Sequence, residues 1–171
     1  RLQAGGLHAA VVSGVRAALG DEFNRLQLYP DAAQSCIVLT HDVEEKAGFD
    51  FIPRVIELES SLGFRSSWNI VPHKYAIDRD VIDLITTSGH EVGIHGYNHD
   101  GKLYYSESIF RSRAKLINDA LEKYHAVGFR SPLVHRNLHW LQLLNIDYDA
   151  SCFDYDPFQQ FPGGTKSIWP F

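Results

Sequence analysis

The sequence predicts an α/β fold organised around a parallel sheet. From about residue 36 to residue 150, short apolar runs with β-branched members trade places with stretches of helical periodicity, the pattern of strands joined by helical crossovers, either doubly wound or closed as a barrel. Polar clusters follow the runs: HDVE after the first, HGYNH after the third, RSP after the fourth and DAS after the fifth. In both architectures functional groups gather at the carboxyl ends of the strands, and four polar clusters at such ends are hard to obtain from packing alone. A length of 171 residues with 44% hydrophobic content suits one globular domain.

Taken in order, Leu7, Val11, Val12, Val15 and Leu19 fall at helical spacing, and Gly20 stops the pattern. Residues 1–34 thus read as an N-terminal helix and lead-in, turn-rich around Pro30, ahead of the main domain over 35–171. Cys36 to Thr40 is the first strand, short and apolar as a buried strand is. An amphipathic stretch from Phe51 to Leu62 precedes a strand from Phe64 to Ile70 and a helix from Asp78 to Thr87 closed by Gly89. The third strand is His90 to His95, followed by a long helix from Ser106 to Tyr124. Ala126 to Arg130 and Ile146 to Ala150 are the fourth and fifth strands, with a helix over Asn137 to Leu144 between them and a sixth strand near Ser167 to Trp169.

Composition excludes several classes of function. A net charge of -5 offers no basic footprint for nucleic acid. The longest apolar stretches, such as Leu7 to Val12, are too short to span a bilayer. No secretory signal pattern follows Arg1, which favours a soluble, cytoplasmic chain. Cys36 and Cys152 form no CxxC pair, so they read as small buried hydrophobes. There is no methionine, position 1 included, and local spacings therefore carry more of the argument than long-range ones.

Two segments hold the chemistry. If extended geometry persists past Thr40, Asp42 and Glu44 point to one side and His41 and Val43 to the other. Two carboxylates sharing a site call for a cation, an arginine or a shared proton; a polar loop or helix cap is the alternative. In Gly89 to His99, His95 falls at a strand end and His99 follows at a spacing where a helical turn brings two imidazoles onto one metal. Gly93 and Gly96 leave the backbone room to turn, and His90, at the other end of the strand, reads as structural. Two histidines and one carboxylate leave coordination positions open, as a catalytic metal site requires, and Asp42 stays free to act as a base. Arg130 either holds Asp42 in a forked pair or lies on the surface, and the backbone N–H of Leu133 is a candidate oxyanion donor. Trp140 reads as core; Tyr148, Phe153, Tyr155 and Phe158 suit either core packing or a sugar-stacking wall.

This set resembles the polysaccharide deacetylase family, carbohydrate esterase family 4, whose catalytic region is the NodB homology domain. HEVGIHGYNH is the most specific match, and GFRSP and YDAS follow in the right order over roughly residues 36–158. The resemblance implies a distorted (β/α) barrel of about seven strands. It also implies Asp42 as base, His95 and His99 as metal ligands, Arg130 as the base-tethering arginine and Asp149 as the acidic residue of the fourth motif. Where the common first motif has two adjacent aspartates, Val43 takes the second place, so the chain is similar to a subgroup with D-x-D and Glu44 becomes the third ligand. The last family motif, a Leu-His pair supplying the general acid, does not occur by Phe171, and the chain is expected to lack the end of the barrel.

The activity so implied is metal-dependent hydrolysis of N-acetyl or O-acetyl groups on a saccharide through an activated water. Zn2+ is the default for this ligand set, with iron, cobalt, nickel and manganese compatible. Two alternatives stay open: a related amidohydrolase acting on a non-sugar amide, and a member that binds sugar without turnover.

Overall fold

The computed structural model describes residues 37–152, which form a parallel five-stranded sheet with helical connections. Its strands are β1 (Leu39–Val43), β2 (Ser66–Ile70), β3 (Glu91–Ile94), β4 (Gly128–Phe129) and β5 (Tyr148–Asp149), adjacent in chain order and parallel throughout. Between them run α1 (Lys46–Ser61), α2 (Arg79–Thr87), α3 (Glu107–Tyr124), a 3-10 turn (Pro132–Val134) and the short α4 (Leu138–Leu141). The expected N-terminal helix and sixth strand lie outside the described residues.

Strand alternation divides the sheet into two unlike faces. One carries Val43, Trp68, Ile70, Val92, Ile94 and Phe129, all buried in one apolar cluster. The helices cover it: α1 contributes Phe49, Ile52 and Ile56, α2 contributes Ile82 and Ile85, and α3 contributes Phe110, Ala114, Ile117 and Leu121. These spacings of three and four are amphipathic stripes, and their burial in the core holds the helices more than intrinsic propensity does. Asp78 caps α2 by accepting from the Asp80 N–H (3.0 Å), and Ser106 caps α3 by accepting from Ile109 (3.3 Å). The opposite face is polar, presenting Thr40, Asp42, Ser67, Asn69, Glu91 and Tyr148.

That polar face is concave. In a flat sheet β1 and β4 would stand about 14 Å apart, three strand spacings, beyond the reach of an arginine side chain. Yet Arg130, one residue past β4, donates from Nη1 to Thr40 Oγ1 on β1 at 3.0 Å. The sheet curls, and Asp42, Asn69, Gly93, Gly128 and Tyr148 align in register across all five strands, with the Asn69 and Tyr148 side chains lying over the two glycines. A Cβ at Gly93 would overlap Asn69 Oδ1, and one at Gly128 would overlap the Tyr148 ring.

Several boundaries differ from the sequence expectation. The first strand does not stop at Thr40 but runs to Val43, which carries Asp42 on the sheet itself. Helix α1 begins at Lys46, not Phe51, because Phe49 belongs to the same buried stripe as Ile52 and Ile56. The expected helix over Asn137 to Leu144 shrinks to four residues, and β4 and β5 to two residues each. Where the resemblance implied a barrel of about seven strands, the described residues form a five-stranded sheet in which β1 and β5 are not paired.

Candidate metal centre and catalytic groups

Asp42 ends up next to an asparagine that sequence reasoning passed over. Register pairs Asp42 with Asn69 on β2, and Asn69 Nδ2 donates to Asp42 Oδ1 at 3.1 Å. Only 1% of Asn69 is exposed, and its amide has room because Gly93 stands beside it. The other oxygen, Asp42 Oδ2, lies 3.4 Å from Arg130 Nε. The expected forked pair is not formed: the second arm of the guanidinium goes to Thr40 instead. The sequence signal for Asn69 was a polar residue inside the otherwise apolar run Trp68 to Val71.

His95 follows β3 and is buried, with its backbone N–H donating to the Ile70 carbonyl at 2.7 Å. Its Nδ1 lies 2.9 Å from the Arg130 carbonyl. A carbonyl only accepts, so Nδ1 carries the proton and Nε2 presents a lone pair. Burial pulls the His95 pKa below its ordinary value, against the opposing influence of Asp42 and the Arg130 carbonyl; the neutral ring is the favoured form.

No helical turn joins His95 to His99. The chain bends instead through Gly96 (φ +68°) and returns at His99 (φ +60°). Gly96 is required twice over, by its positive φ and because a Cβ there would overlap the Pro132 ring. A non-glycine residue at positive φ costs on the order of 1 kcal/mol, so the conformation of His99 is held by its surroundings.

The two imidazoles converge on one carboxylate. Glu44 Oε1 lies 3.8 Å from His95 Nε2 and 3.2 Å from His99 Nε2, and one ligand atom from each residue falls within 4.8 Å of the others. Both Nε2 atoms are buried and have no hydrogen-bond partner. Among the described residues the only other such atom is Trp68 Nε1, on the helix-covered face. Buried nitrogens are normally satisfied, and two left open toward a carboxylate fit a divalent transition metal: two imidazole nitrogens, one of them on a ring whose Nδ1 is hydrogen-bonded away, and the carboxylate of solvent-exposed Glu44.

Asp149 stands apart from this cluster. It accepts from Ser151 Oγ, which in turn accepts from the Ser131 N–H at 2.8 Å. Burial raises the Asp149 pKa, with the Ser151 hydrogen bonds opposing. Among the described residues no hydrogen bond or ion pair joins it to Asp42, Glu44 or the two histidines. Cys152 is half-buried, with its thiol 4.0 Å from Asp149 Oδ2, so it is not the plain core hydrophobe expected. Leu133 adopts φ +57° and is 60% exposed. Trp140 packs on the core beside Phe110, and Tyr148 turns its hydroxyl to Glu91.

The fold is that of the family 4 carbohydrate esterases, a class of deacetylases. A Mycobacterium smegmatis protein assigned as a polysaccharide deacetylase aligns with a TM-score of 0.54 at 22% identity, covering 66% of this chain and 49% of that one. The chitin deacetylase of the fungal pathogen Colletotrichum lindemuthianum aligns with a TM-score of 0.53 at 20% identity, over 66% of this chain and 53% of its own. A family 4 pseudoenzyme from Bacillus anthracis aligns similarly, with a TM-score of 0.53 at 18% identity over 62% and 38% of the two chains. The chain thus spans about half the length of the solved structures it matches. No family model and no curated protein matches the sequence.

Proposed function

We propose that this chain carries the catalytic groups of a metal-dependent deacetylase of the NodB type, removing N-acetyl or O-acetyl groups from a saccharide, with a first motif of the D-x-D/E form. The observation that carries the reading is the pair of buried, unpartnered Nε2 atoms facing Glu44, beside an aspartate held at both oxygens. Glu44, His95 and His99 would hold the ion, which when bound polarises an acyl oxygen and makes water more acidic. Zinc is the natural candidate for this donor set.

The chain's own residues divide the remaining work. Asp42 takes a proton from the attacking water as oxygen bonds to the acyl carbon. Arg130 and Asn69, one at each carboxylate oxygen, fix the orientation of Asp42. On the concave polar face the side chains of Asn69 and Tyr148 lie over Gly93 and Gly128, and the acyl group would sit above them, beside Asp42 and Arg130.

The test is metal content together with acetate release from N-acetylated oligosaccharides, for wild type, Asp42→Asn and His95→Ala. Wild type should bind about one equivalent of metal and release acetate; His95→Ala should lose the metal, and Asp42→Asn should keep it while losing turnover. A metal-free, inert wild type would sink the catalytic reading and leave the alternative of sugar binding without turnover. Acetate release from simple amides but not sugars would move the substrate to the non-sugar alternative.

A further inference from the structure

His99 sits in a left-handed conformation on a loop without helical or strand hydrogen bonding, and something outside the loop must hold it there. The neighbouring side chains supply a chain of restraints. Asn98 Oδ1 accepts from the Asp100 N–H (3.3 Å) and Asp100 Oδ1 from the Lys102 N–H (2.9 Å), two short turns that bracket His99. Asp100 is gripped in turn by Arg113, whose Nη1 and Nη2 each donate to a separate carboxylate oxygen at 2.7 Å. The Arg113 guanidinium also lies over the Tyr97 ring, 5.0 Å from its centroid, so it touches the loop on both sides of His99. Arg113 stands on α3 next to Ala114, and α3 is fixed to the core through Phe110, Ala114 and Ile117. The same residues, Tyr97, Asp100 and Arg113, wall a small cavity flanking His99.

We infer that Arg113 is a positioning residue for the metal centre: through its fork onto Asp100 and its stacking on Tyr97, it holds His99 Nε2 in line with His95 and Glu44. The fork matters more than the charge, because a planar guanidinium fixes both carboxylate oxygens while an ammonium fixes one point. This inference rests on the metal reading above.

The experiment is zinc affinity of the full chain by competition with a chromophoric chelator, with thermal melting of the metal-free protein in parallel. Arg113→Gln and Asp100→Asn should each weaken zinc binding about tenfold, as loss of a supporting partner does, and Arg113→Lys should fall between them and wild type. Arg111→Gln removes a comparable exposed pair on the same helix, with Glu107 at 2.6 Å, and should leave affinity unchanged. Wild-type affinity in folded Arg113→Gln and Asp100→Asn overturns the inference, as does an equal loss in Arg111→Gln. If Arg113→Gln does not fold, Asp100→Asn and Arg113→Lys decide by the same readout. A wild type that binds no zinc, manganese or iron refutes the metal reading itself, which is a different result.

Discussion

Two clusters of histidine and carboxylate occupy opposite faces of one sheet, and they are built to opposite rules. On the helix-covered face Glu59 accepts from His41 (2.8 Å) and Ser66 (2.7 Å), while His90 meets Ser66 through Nδ1 and Ser60 through Nε2 (3.3 Å). Each of these polar groups has a partner, and His41 is further fixed by stacking on Trp68. On the concave face Glu44 is exposed and the Nε2 atoms of His95 and His99 have no hydrogen-bond partner. Residue type therefore does not mark a functional site; the difference lies in whether the polar atoms are satisfied. A satisfied buried network fixes the packing of a fold, whereas open donors and acceptors wait for a ligand.

Variants at the two clusters should separate cleanly. The largest effect is expected for Asp42→Asn, a loss of about 10²- to 10⁴-fold in acetate release at unchanged metal content, read from kcat. Next comes Gly93→Ala, which forces Asn69 away from Asp42: acetate release should drop at least about tenfold as the aspartate loses its orientation, while the metal content stays at the wild-type level. At the closed cluster, Glu59→Ala should cost about 2 kcal/mol of stability by stranding Ser66 and His41, measured by urea denaturation, without changing metal affinity. A Glu59→Ala variant that kept its stability and lost metal binding would overturn the division of labour between the faces.

The smallest expected effect is the closed cluster's share of the pH dependence of stability. Burial lowers the His90 pKa, helped by Arg65 and His41 and opposed by Glu59. Glu59 is pushed up by burial, but hydrogen bonds from Ser66 and His41 bring it net below its ordinary value. Both groups bind protons more readily in the unfolded chain. Their contribution is complete above pH 6.5, begins to fall as the unfolded histidine protonates, and falls further below about 4.5 as the unfolded carboxylate does. His90→Asn should flatten the upper part of that decline, and an unaltered profile would show that His90 titrates alike in both states.

Much of this was legible in the sequence, for physical reasons that differ by residue. The apolar runs and stripes betrayed the alternation of strand and helix because burial imposes periods of two and of three to four. HGYNH and HDVE stood out because polar clusters are costly at strand ends unless they have work to do. Their convergence was expected from the family resemblance and not from spacing: that Glu44 meets both imidazoles depends on β1 and β3 lying either side of β2, which spacing does not encode. Asn69 was hidden in an apolar run, and the bend between His95 and His99 was mistaken for a helical turn because a spacing of four residues suits either geometry. The division of Arg130 between Asp42 and Thr40 follows from sheet curvature, a property of the whole fold.

The contact between Arg130 and Thr40 joins residues ninety positions apart. It clasps the end of the fourth strand to the first, and exists only where β1 to β4 are assembled into one curled sheet. Contacts of such separation pay for a long loop closure before they return anything. The base and its arginine therefore come together only in the near-complete sheet, so partially folded forms of this chain carry the metal-binding side chains without the means to use them.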